Sequence, residues 1–177
     1  MANEPNSEIM HQKTLEDFVT SEYSSFETYS NIWKNETKIY LDFPNKKDKN
    51  QCLNNNLKLI NQELNWVEKN KDKIEELLIE NDCLELAENW ASNAHLLECA
   101  EEECYVMEDG QKVFFPITTD DFFNSLYIET ISIKFDKCNE TPLLELILLC
   151  NPDYFAEHCL IVDIGKNKSL KFYGIHG

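Results

Sequence analysis

Ile128-Glu129-Thr130-Ile131-Ser132-Ile133-Lys134-Phe135, together with Leu143-Leu144-Glu145-Leu146-Ile147-Leu148-Leu149-Cys150, is the stretch that decides the fold. β-branched and apolar residues recur at spacing two, and the polar segment from Asp136 to Pro142 separates the two runs, which is the signature of neighbouring strands. Cys159 to Ile164 and Leu170 to Tyr173 continue the pattern. Asn151-Pro152-Asp153-Tyr154 and the segment from Gly165 to Lys168 supply the turns between them, so the four strands are expected to form a meander.

Upstream of this block, Pro116-Ile117-Thr118-Thr119-Asp120-Asp121-Phe122 reads as a helix start. Thr118 can cap, and Asp121 lies three residues on, in capping-box position. Between Asp48 and Ala91 the apolar positions Leu53, Leu57, Ile60, Leu64 and Val67, then Ile74, Leu77, Leu78, Leu84, Leu86 and Trp90, recur at three and four. Long helices are expected there, with a break near Asn81-Asp82 where Asp82 can cap the next one. Phe26, Tyr29, Ile32 and Trp33, then Thr37, Ile39, Leu41 and Phe43, predict an antiparallel hairpin ending at Pro44. A frayed N-terminus with a short amphipathic helix is expected over residues 1–20, and a single domain over 21–177. The fold class is therefore α+β: an antiparallel sheet with long helices packed on one face.

Composition narrows the function. The chain has 177 residues, 42% hydrophobic, with only 4 Gly and 5 Pro, enough for a real core. Thirty-three acids stand against sixteen basic residues, all of them Lys, for a net charge of −17. Phosphate binding needs clustered Lys or Arg, so a nucleic-acid partner is not expected. Neither a signal-peptide pattern nor an apolar run of membrane-spanning length is visible, which points to a cytosolic location without a membrane partner. The seven Cys are then expected to be reduced.

Candidate chemistry is sparse. His95, Cys99 and Cys104 offer metal-ligand types, with 95 and 99 on one face if the segment is helical, but no CxxC pair accompanies them. Cys150, Cys159, His158 and Asp153 have the residue types of a nucleophilic triad. His158 and Cys159 are neighbours on an extended strand, so their side chains diverge, and thiols inside apolar strands stay inert. His158 reads instead as structural, partnered by the 151–154 turn or a core hydroxyl. Neither metal nor cofactor is expected. The charge map says more: nine of the sixteen lysines lie between Lys34 and Lys73, whereas Ile74 to Gln111 holds twelve acids and no lysine. Glu98, Glu101, Glu102 and Glu103 centre that stretch, and Trp90, Tyr105 and Phe114 are the nearest aromatic anchors for a basic partner.

Trp90, the segment Ile117 to Phe123, Leu126-Tyr127-Ile128-Glu129-Thr130-Ile131-Ser132-Ile133, Asp153 to Leu160 and the terminal Gly174-Ile175-His176-Gly177 resemble a bacterial family catalogued as domain of unknown function 2262. The likeness runs from Ile39 to Gly177, and Glu157 stands where that family often has Gly before the His. The resemblance implies the same order of strands, helical middle, capped short helix and closing strand pair. Some acidic bacterial proteins of this kind resemble immunity proteins, which implies stoichiometric neutralisation of a basic toxin, a nuclease being the natural case. The alternative expectation is a small enzyme or metal-dependent module using His158 with Asp153, or His95 with Cys99.

Overall fold

Alternation of apolar residues carries the hairpin and the C-terminal meander into one six-stranded sheet. The computed structural model describes residues 12–44, 47–97, 103–108 and 110–177. Strands β1 (Phe26–Ile32) and β2 (Asn35–Asp42) form the expected hairpin. Helices α1 (Lys49–Lys69), α2 (Lys71–Glu80) and α3 (Cys83–Ala91) follow. Three short strands come next: β3 (His95–Leu96), β4 (Cys104–Val106) and β5 (Lys112–Phe114). Helix α4 (Thr119–Ser125) leads into β6 (Leu126–Lys134), β7 (Leu143–Cys150), β8 (Cys159–Ile164) and β9 (Leu170–His176). The order across the large sheet is β1-β2-β6-β7-β8-β9, and β3-β4-β5 make a separate small sheet.

The fold is α+β, with one correction to the expected sheet: β2 and β6 pair in parallel, Ile39 beside Ile131 and Leu41 beside Ile133, so the sheet is mixed. Parallel neighbours need a long crossover. Here it is the whole stretch from α1 to α4, which delivers β6 alongside β2 in the same sense. On the inner face, Ile39, Leu41, Ile131, Leu146, Leu148, Leu160 and Val162 share one core with Ile60, Leu64, Val67, Ile74 and Leu78 of the helices. Each such side chain stabilises the fold by about 1.5–3 kcal/mol relative to exposure.

Local chemistry explains the joints. Thr118 Oγ1 accepts from the Asp121 amide at 3.1 Å and the Asp121 carboxylate accepts from the Thr118 amide at 3.2 Å, so α4 begins on the anticipated capping box. Two breaks interrupt the helical stretch, at Asn70 and at Asn81-Asp82, where one was expected. Asp82 occupies the cap position in a left-handed conformation (φ 58) but its side chain makes no cap bond, correcting its expected role. The hairpin turn places Trp33 and Lys34 at φ 52 and 67, a conformation that costs L-residues about 1–2 kcal/mol each. Tertiary bonds hold it: the Trp33 amide donates to Glu68 at 2.8 Å and its indole N–H to the Val67 carbonyl at 3.2 Å.

The expected N-terminal helix is, in the described residues, a single 3-10 turn (Leu15–Asp17). Beyond it Val19 pairs with Glu27 at the edge of β1, exchanging backbone bonds of 2.9 and 2.8 Å, while Lys13 exchanges bonds with the Asn61 amide. The expectation of seven free thiols also fails: Cys52 and Cys138 form a disulfide with Cα atoms 5.6 Å apart. The loop after β6 folds back over α1, where Asn56 accepts from the Asn139 amide at 3.0 Å and brings the two sulfurs together. Spacing along the chain carries no sign of that meeting.

Candidate functional site

Strand residues alternate, so the side chains opposite the helical core form a second face of the sheet. Across it, register sets Tyr40 beside Ser132, Ser132 beside Glu145, Glu145 beside Asp163 and Asp163 beside Lys171. The adjoining row is Lys38, Thr130, Ile147, Ile161 and Gly174, and beyond it Tyr127 lies beside Leu149. Ile147, Leu149, Ile161, Thr130 and Tyr127 are half-buried, in contrast to the fully enclosed inner set.

Two cavities open here. The larger, about 580 Å³, lies where β6 and β7 meet the 151–157 turn and is lined by Asn35, Tyr127, Glu129, Leu149, Asp153 and Glu157 among others. A β-bulge between Ile128 and Thr130 leaves Glu129 as the extra residue and bends the strand at that rim. The smaller, about 220 Å³, is lined by Tyr23, Tyr40, Asp42, Ser132 and Lys134.

Charge on this face is unevenly quenched. Lys38 pairs with Glu27 at 3.4 Å and lies over the Tyr40 ring at 4.8 Å; its hydrogen bond to Tyr40 and the Glu27 charge raise its pKa. Lys134 reaches Glu145 at 3.6 Å. Lys171, directly opposite Asp163, lies over the Tyr173 ring at 4.0 Å instead. Burial, then the facing Glu145 carboxylate, push the Asp163 carboxyl above its ordinary range, against the opposing pull of Lys134, Tyr173 and Lys171. Burial and the carboxylates of Glu129 and Asp153 raise the Tyr127 phenol in the same way.

The groups proposed for chemistry are dispersed or engaged. Asp153 accepts from the amides of Phe155 at 3.1 Å and Glu157 at 2.6 Å, holding the turn in which Ala156 and Glu157 take φ 51 and 66. His158 Nδ1 sits 2.8 Å from the Ala156 carbonyl, and its ring meets Trp90 edge-on at 5.0 Å. Its partners are therefore Ala156 and Trp90, a correction to the expected 151–154 turn or core hydroxyl, and Asp153 does not orient it. Burial pushes the Cys150 and Cys83 thiols up to about 12, so neither is a thiolate near neutral pH. His95 lies on strand β3, correcting the helical reading, and Cys104 is fully buried on β4. Cys99 lies outside the described residues, as do Glu98, Glu101 and Glu102. Among the described residues no three His, Cys, Asp or Glu side chains gather to hold a metal.

The aromatic anchors part company. Trp90 is half-buried and packs on Phe155 at 6.1 Å and on His158. Tyr105 sits opposite Val113 and Phe114 opposite Cys104, which by register places them on different faces of the small sheet. Tyr105 donates to Glu103 at 2.8 Å, and Phe114 stays exposed. The residues that the spacing did not single out are Glu145, Ile147, Leu149, Ile161 and Asp163. One signal existed: Leu143 to Leu149 is apolar at both parities except for Glu145, a pattern of strands covered on both faces.

Among the described residues no helix is long and apolar enough to cross a membrane. The model of a bacterial family described as an uncharacterized protein conserved in bacteria, DUF2262, matches residues 12–175. No curated protein and no solved structure matches the chain.

Proposed function

Taking as premise that the chain belongs to the bacterial family DUF2262, we propose that it is an immunity or inhibitor protein that neutralises a basic toxin, a nuclease in the simplest case, by stoichiometric contact and without chemistry of its own. One observation carries this reading. Seven of the sixteen lysines, for example, are engaged within the chain: Lys71, Lys134, Lys137, Lys166 and Lys168 on carboxylates, Lys49 and Lys73 on aromatic rings. With 33 acids against 16 lysines, the outward field is strongly negative. Such a field speeds association with a cationic protein and repels nucleic acid and anionic membranes.

The engagement of Asp153 by backbone amides and of Cys150 by burial supports binding over catalysis. Residence in the cytosol belongs to the same proposal. The Cys52–Cys138 bond weighs against it, since cytosolic reductants keep such pairs open. The test is co-purification with the product of the adjacent gene. A one-to-one complex that suppresses the toxicity of that product supports the reading; recovery of this protein alone, with the product equally toxic in its presence, rejects it.

A further inference from the structure

Building on the reading of a basic partner, we propose that the open face of the six-stranded sheet is the docking surface, with a lysine or arginine of the partner entering between Glu145 and Asp163 and apolar side chains settling on Ile147, Leu149 and Ile161.

The face has the layout of a protein interface. An apolar centre of half-buried Ile147, Leu149 and Ile161 is rimmed on one side by the Glu145 and Asp163 row and on the other by Glu129, Asp153 and Glu157 at the larger cavity. Glu145 and Asp163 are cross-strand partners, and like charges directly opposite one another destabilise a sheet. Lys134 pairs with Glu145 and Lys171 leans on Tyr173; both lysines and Tyr173 also pull on Asp163, but burial and the facing Glu145 outweigh them, so the pair has room for one more cation. Charge chooses the occupant. A second copy of this chain would bring another −17 against the same acidic rim, whereas a basic surface satisfies both carboxylates as it covers the apolar centre.

The experiment titrates the ¹⁵N-labelled native protein, at low salt, with a synthetic peptide alternating arginine and leucine, which offers cations and apolar groups together. Amide shifts are expected to concentrate on Thr130, Ser132, Glu145, Ile147, Ile161 and Asp163. The double variant Glu145→Gln with Asp163→Asn, which keeps side-chain shape, is expected to bind about tenfold more weakly. The control pair Glu16→Gln with Asp72→Asn removes the same charge at exposed sites elsewhere and is expected to bind as the native protein does. Shifts scattered over the helices, or equal weakening by both pairs, overturn the docking face and leave the basic-partner reading standing. Absence of any binding overturns both. Concentration-dependent shifts on this face without peptide overturn the proposal in favour of a second copy. Should the first double variant fail to fold, the shift map of the native protein decides.

Discussion

Changing Cys138 to Ser opens a covalent ring between residues separated by 86 positions. In the chain-entropy description, closing a loop of that length removes about 15 cal/mol/K from the unfolded ensemble, or about 4.6 kcal/mol at 25 °C. Part of the same loop stays pinned without the bond. Asn56 still accepts from the Asn139 amide, and Lys166 still reaches Asp136 at 2.7 Å and Glu140 at 3.6 Å. These contacts keep the native loop in place, so the loss falls on the unfolded state and should approach the full entropic figure. Urea unfolding of oxidised protein, reductant-treated protein and the Cys138→Ser variant measures it. With a slope of about 2 kcal/mol/M, the oxidised midpoint should lie about 2 M above the other two. Coincident midpoints, or an intact mass showing all seven cysteines as thiols, would refute the reasoning.

Asp163→Asn is expected to raise the melting temperature at pH 7. A carboxyl whose folded pKa lies above its unfolded value withdraws stability as pH rises through that window, so the gain should vanish once both states are protonated, below about pH 3; an unchanged melting temperature at pH 7 would count against the crowding of Asp163 and Glu145. Cys83 and Cys150 should resist alkylation at pH 8 in folded protein and react at once in urea, because burial holds both thiols near 12; native reactivity would mean that the core opens there. Glu157→Gly should stabilise the fold by up to about 1 kcal/mol by relieving the left-handed backbone at φ 66, and a loss on thermal melting would show that the carboxylate itself is needed. His158→Ala should cost about 0.5–1.5 kcal/mol through the lost Ala156 and Trp90 contacts while partner affinity holds; lost affinity at an unchanged melting temperature would make His158 part of the interface.

What was legible in the sequence follows the range of the interactions involved. The meander from β6 to β9, the hairpin and the capping box of α4 rest on neighbours in sequence, and spacing alone located them. Parallel pairing of β2 with β6 depends on how a crossover of four helices and a small sheet lands, which no local pattern encodes. The break at Asn70 was hidden for a related reason. Its side chain returns to the Trp66 carbonyl, but Asn56 and Asn61 make the same bond to Cys52 and Leu57 inside an unbroken α1. The meeting of Cys52 with Cys138 is longer in range still. The acidic stretch was read by counting charge along the chain, whereas Glu145 and Asp163 are eighteen positions apart and become neighbours only through strand register. The edge-on contact of Trp90 with His158 was likewise invisible along the chain, since it joins residues far apart in sequence.

The central claim is stoichiometric capture of a basic protein by an acidic one, and stopped-flow association with the adjacent gene product across a salt series tests it most directly. The account predicts a one-to-one complex whose association rate approaches ~10⁸ M⁻¹s⁻¹ at low salt and falls steeply as salt rises, with no change in the covalent mass of either protein. A salt-independent rate near ~10⁵ M⁻¹s⁻¹, or consumption of the partner by multiple turnovers, would contradict it.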